Sequence, residues 1–143
     1  KLDKLSKALF VVVGDGVDKS RLENQAFDMG VADSVRFLGK ITGADLAEIY
    51  KIGSVFVTAS EIETQGIVLI EAAASGLPLI AVDAGAVAEV CKNGENGFLV
   101  KPGDIVSMSG AIYRILTDRE LKKKMSFRLE IAPPASSQFP LCC

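Results

Sequence analysis

The sequence predicts an α/β fold, a parallel sheet with helices on both faces, and three features of its 143 residues lead there. Short apolar runs rich in β-branched residues alternate with helical patterns along the chain. The links between them are short and carry glycine. The first strand-like run, Ala8 to Val13, is continuously apolar rather than alternating, as a strand covered on both sides would be.

The first run, Ala8 to Val13 (ALFVVV), ends in Gly14-Asp15-Gly16. Asp18 is then placed to cap a helix that directs Leu22, Ala26 and Met29 toward the core and closes at Gly30. Ser34 to Leu38 (SVRFL) predicts a second strand. It leads through Gly39-Lys40-Ile41-Thr42-Gly43 into a helix from Ala44 to Lys51, with Leu46, Ile49 and Tyr50 facing inward. Ser54 to Thr58 (SVFVT) predicts the third strand, and Gln65 to Ser75 the helix after it. Pro78 to Val82 (PLIAV) is the next strand, followed by a short helix from Val87 to Lys92. Asn93-Gly94-Glu95-Asn96-Gly97 is a turn cluster, Phe98 to Val100 a last short strand, and Asp104 the N-cap of a helix to Leu116.

Beyond Met125 the periodicity fails. The expected division is a folded domain over residues 1–130 and an irregular tail over 131–143, with two adjacent prolines and a serine pair.

Composition removes whole classes of function. The chain has no histidine, so histidine-based triads, dyads, zinc sites and general bases are excluded within it. A formal net charge of −2 argues against nucleic-acid binding driven by bulk electrostatics. The locally basic stretch Arg119 to Arg128 reads as a solvated helix face. Three cysteines, Cys91, Cys142 and Cys143, are an odd number with two adjacent, which implies no disulfide framework and a reducing compartment. No signal-like apolar region follows Lys1, and the longest apolar run is far too short for a bilayer. The expectation is a soluble, cytoplasmic protein.

In parallel sheets of this kind ligands bind at the carboxyl ends of the strands. That rim collects Gly14-Asp15-Gly16, Gly39-Lys40-Ile41, Ser60 to Gly66 and Asp83 to Ala86. One stretch of it, SEIETQGIVLIEAAASG from Ser60 to Gly76, poses a problem. Between Gly66 and Val82 only Glu71 and Ser75 interrupt apolar or small residues, which predicts a helix hydrophobic on all faces. On a helical wheel Glu71 lies about 40° from Ile67, with Ile70 and Ala74 on the other side. An unpaired carboxylate buried there would cost several kcal/mol or take up a proton. Either backbone amides, an Arg36-type partner or solvent satisfies it, or a ligand does.

The ligand reading draws on the start of that helix, where unpaired amides and the helix dipole favour an anion. Gly66, without a Cβ, allows a phosphate close approach. Glu63 stands at the same mouth. Amides for a diphosphate and carboxylates for hydroxyls suit a nucleotide sugar. Gly14-Asp15-Gly16 is a weaker feature: Gly14 and Gly16 match the first two glycines of a dinucleotide fingerprint, but Lys19 stands at the third. It is equally a tight strand-to-helix turn.

Glu63, seven intervening residues and Glu71 within ETQGIVLIEAAASGLPLIA, followed by GAVAEVCKNGENGFLVKPGD, resemble the carboxyl-terminal, donor-binding domain of family 4 retaining glycosyltransferases. These are GT-B enzymes built from two Rossmann-like domains. The segments VVVGDG and VRFLGKI are similar to that family's second strand-turn and third strand, so the likeness runs in order from Phe10 to Asp104.

The resemblance implies a Rossmann-like fold that forms one half of a GT-B enzyme of carbohydrate biosynthesis. It implies that Glu71 binds the ribose hydroxyls and that Glu63, the candidate catalytic residue, faces the donor sugar as a positioning group. Amides of Gln65, Gly66 and Ile67 would hold phosphate and sugar oxygens, and Gly39, Lys40 and Ile41 would receive the base. The donor would be a UDP-, GDP- or ADP-sugar, transferred with retention and without a cofactor or essential metal. The partner would be an amino-terminal acceptor domain, through which any membrane contact would pass.

The sequence departs from the family in three ways. The arginine and lysine that grip the diphosphate precede the VVVGDG strand in the family, and Lys1, Lys4 and Lys7 are not safe substitutes for them. The acceptor domain and closing helices have no counterpart here. Gly85-Ala86 replaces a usual glycine pair. The chain is therefore expected to bind a donor but not to transfer a sugar alone. Two other readings stay open: a noncatalytic truncated module, and another GT-B enzyme such as a nucleotide-sugar epimerase.

Overall fold

The computed structural model describes residues 8–62 and 66–126. The strands are β1 (Phe10–Val13), β2 (Val35–Gly39), β3 (Phe56–Thr58), β4 (Leu79–Val82) and β5 (Gly97–Val100). Between them run α1 (Lys19–Asp28), α2 (Gly43–Ile52), α3 (Ile67–Ala74) and α4 (Val87–Val90), and α5 (Ile105–Thr117) and α6 (Arg119–Met125) close the described chain. The predicted alternation is present at every step. The 131–143 tail lies outside the described residues.

Among the described residues all strand pairings are parallel, and the strands form two sheets rather than one. β1 pairs with β2, and β3 with β4 and β5. A doubly wound sheet is threaded from its middle outward, so the strand joining its two halves is the first of the series. By the family resemblance β1 and β2 correspond to the second and third strands, and no described strand takes the central place.

Burial follows the same division. β4 is buried at all four residues. Leu79 and Ala81 join Leu69, Ala72, Ala73 and Val87 in one core cluster, while Ile80, pointing the other way, joins Ala111, Ile115 and Met125 in a second. Period-two alternation along one strand thus serves helices on both of its faces. Gly97 seats β5 tightly against β4: a Cβ there would overlap the Leu79 carbonyl and stand 2.9 Å from Cys91 Sγ.

Two expected core residues are not in the core. α1 buries Ala26, whereas Leu22 is 38% and Met29 67% exposed. The reason is that α1 packs on a two-stranded sheet, too narrow to cover its apolar stripe. The end of α1 is as predicted: Gly30 has φ +67°, and the Val31 amide reaches back to the Ala26 carbonyl at 2.9 Å. Asp18 precedes α1 without making a side-chain cap.

The basic carboxyl-terminal helix is more than a solvated face. Asp118 caps α6 through the Leu121 amide at 2.9 Å, Met125 is buried, and Lys122 donates to Ser54 Oγ at 3.0 Å. Asp104 caps α5 as expected, its Oδ1 accepting from the Ser107 amide at 2.9 Å. No helix among the described residues is long and apolar enough to cross a membrane.

Candidate functional site

The carboxyl ends of β1 and β2 bring the first group of predicted residues together. The Gly14 amide donates to the Gly39 carbonyl at 2.8 Å, continuing the ladder past Val13. Both glycines have positive φ, +144° and +71°, so the chain turns away there into the α1 and α2 links. A shallow depression of about 300 Å³ opens at this end, lined by Val12, Gly14, Asp15, Gly16, Lys19 and Phe37. Lys40 is exposed and Ile41 half-buried just beyond it.

The second group follows β3. Gly66 enters α3 with φ +64° and offers no side-chain cap. It is buried, and a Cβ would stand 3.3 Å from Val90 Cγ2, so both conformation and space favour glycine. Its carbonyl accepts from the Ile70 amide at 2.9 Å, the first full turn of α3. Ile67, at the helix start, is 53% exposed. Glu63 and Gln65 lie outside the described residues.

Glu71 corrects the expectation of a carboxylate sunk in an apolar helix. Only one face of α3 is covered, that of Leu69, Ala72 and Ala73; Ile67, Val68, Ile70 and Glu71 are exposed. A helix of 8 residues can be apolar all round and still pack on one side. Solvent therefore meets the carboxylate, and so does a partner that the sequence reading did not assign. Tyr50 Oη, from the last turn of α2, donates to Glu71 Oε2 at 3.2 Å. Arg36 is engaged elsewhere, donating to the carbonyls of Ala32, Asp33 and Val35.

Tyr50 itself is 9% exposed and packs in the core with Leu69, Ala72 and Ala73. Its ring lies 6.0 Å from that of Phe56, tilted by 58°. Burial, then the negative charge of Glu71, then the hydrogen bond push its pKa up to about 12, so the phenol keeps its proton and stays a donor. The signal available in the sequence was an inward-facing phenol, which needs a polar partner when buried. Among the described residues no group of three or more histidine, cysteine or acidic side chains could hold a metal.

Comparison with known proteins settles the family. The profile of glycosyl transferases group 1 matches residues 1–128. The chain belongs to that family. It is 37% identical over 125 residues to sulfoquinovosyl transferase SQD2 of Arabidopsis thaliana, covering 85% of this chain and 24% of that protein. It is 32% identical over 121 residues to N-acetyl-alpha-D-glucosaminyl L-malate synthase of Bacillus anthracis, covering 85% and 31%.

Among solved structures, sucrose-phosphate synthase from Thermosynechococcus elongatus is similar with a TM-score of 0.74 and 32% identity, over 81% of this chain and 31% of that one. Anabaena HepE in complex with UDP-glucose gives 0.75 and 26%, over 87% and 36%. These neighbours bear out the α/β, GT-B-type fold. The chain spans about a quarter to a third of the length of these relatives.

Proposed function

We propose that this chain is the donor-binding half of a retaining glycosyltransferase and holds the nucleotide of a UDP-, GDP- or ADP-sugar. The observation that carries the proposal is Glu71, solvent-facing on α3 one helical turn beyond Ile67, inside a segment that matches the family throughout. A related structure, HepE, contains UDP-glucose. In this reading Glu71 accepts hydrogen bonds from the ribose hydroxyls, the amides of Gln65, Gly66 and Ile67 meet phosphate and sugar oxygens, and Gly39, Lys40 and Ile41 receive the base. Gly14 and Gly16 let the backbone approach the ligand at the neighbouring rim.

Glu63 faces the donor sugar and orients it. In the transition state charge develops on the leaving diphosphate, and oriented amides at a helix start stabilise it without rearranging. The reading assigns no resident cofactor or metal. An amino-terminal domain supplies the acceptor, so the chain alone binds without transferring.

Thermal unfolding with UDP, GDP and ADP tests this. One nucleotide at about 100 times its Kd should add about 2.7 kcal/mol of stability. Glu71→Ala should abolish most of the shift. No shift with any of the three, or an equal shift in the variant, overturns the proposal.

A further inference from the structure

The Tyr50–Glu71 contact joins a fixed group to a free one. Tyr50 is held by the core through its ring, and a tyrosine has only two side-chain torsions to fix. Glu71 stands on the exposed face of α3, where a glutamate loses considerable rotamer freedom whenever a ligand orders it. The 3.2 Å hydrogen bond from Tyr50 Oη occupies Oε2 and restricts that freedom before any ligand arrives.

The chemistry of the donor matters as much as its rigidity. A lysine or arginine in that place would neutralise the carboxylate and take several of its acceptor sites. A neutral phenol takes one of about four lone-pair positions and leaves the negative charge in place. Among the described residues no other group bonds Oε1 or the remaining lone pair of Oε2, which can accept from two adjacent hydroxyls, and hydrogen bonds to an ionised acceptor are the stronger kind.

We infer that Tyr50 is a positioning residue, whose hydroxyl presents the Glu71 carboxylate to the vicinal diol of a ribose. This rests on the nucleotide-binding reading above. The effect is preorganisation: the rotamer cost is met on folding instead of on binding.

The test is Tyr50→Phe in the 143-residue chain, which keeps the ring and its packing. By calorimetry, affinity for the nucleoside diphosphate that the parent binds should fall about threefold to tenfold, the range of one hydrogen bond. Affinity for the corresponding 2′,3′-dideoxynucleoside diphosphate should be the same in parent and variant, because no diol remains to be met. A merely structural role would weaken both ligands alike, and that result overturns the inference. Unchanged diol affinity in Tyr50→Phe, with Glu71→Ala still weakening binding, overturns the inference while leaving the nucleotide site standing. A parent that binds no nucleotide overturns both.

The contact has a readout that needs neither ligand nor the phenylalanine variant. In a Tyr113→Phe background Tyr50 is the one remaining tyrosine. Its absorbance titration, raised to about 12 first by burial and then by Glu71, should fall on Glu71→Gln by the part due to the carboxylate's charge, while burial still holds it above the ordinary range. A midpoint that stays in place shows that the phenol does not meet Glu71, and the inference fails.

Discussion

β1 and β4 are both four-residue strands of purely apolar sequence, FVVV and LIAV, yet only the second is covered. β4 has neighbours on both edges and helices on both faces, and all of it is buried. Among the described residues β1 has one partner strand; its Phe10 is 57% exposed, and its three valines are half-buried. From Ala8 to Ile49 the one buried residue is Ala26. Continuous apolar sequence thus records what a strand is suited to, whereas burial depends on which elements arrive beside it. The core of the described chain is centred on β3, β4 and β5, and the β1–α1–β2 unit is attached to it with its own apolar surface largely unmet.

The sharpest way to break this contrast is Gly97→Ala. The new methyl has the Leu79 carbonyl and Cys91 Sγ in its way, both held in the core. Urea unfolding should show a loss of about 3 kcal/mol or more, the upper end for overpacking. A variant as stable as the parent would mean that β4 and β5 are not locked together.

A smaller effect on the same side tests the α5–α6 cover. Asp118→Ala removes the cap that holds the Leu121 amide and so loosens the helix carrying Met125. The expected cost is about 1 kcal/mol, read from the same transition. No change would indicate that α6 is held by Met125 and Lys122 alone.

The smallest effect belongs to the other region. Phe27 on α1 is 76% exposed, and Phe27→Ala should change stability by no more than about 0.5 kcal/mol. A loss of 2 kcal/mol or so, as for a buried aromatic cut back, would place Phe27 under cover in solution and erase the distinction between the two regions.

Much of the architecture was legible because strand and helix patterns are local. Short runs rich in apolar and β-branched residues located the five described strands, Asp104 announced a helix start, and Gly30 announced a helix end. What local pattern does not contain is partnership. Leu22 and Met29 fit an amphipathic helix, but the sheet beneath them is two strands wide, so they stay exposed. Lys122 and Met125 looked like part of a charged surface; one reaches Ser54 and the other the core, contacts made across a long sequence separation.

The site divides in the same way. Glu71 was conspicuous as the sole acid in an apolar run, and Gly66 by its position before that run. Gly14 and Gly39 were identified as rim glycines, and the structure joins them by a backbone hydrogen bond. Tyr50 was read only as an inward-facing residue of its helix. Its hydroxyl acquires a role because α2 and α3 pack side by side, which no periodicity in either segment encodes. Glu63 and Gln65 stay expectations of the resemblance.

The tight seat of Gly97 also governs the redox behaviour of its neighbour. Cys91 is fully buried, and burial, with the nearby negative charge of Asp83, pushes its thiol up to about 11. A neutral, enclosed sulfur is a poor target for oxidants and alkylating reagents alike. Damage at this position is therefore coupled to opening of the β4–β5 region, and a cell's peroxide would find Cys91 only in molecules already coming apart.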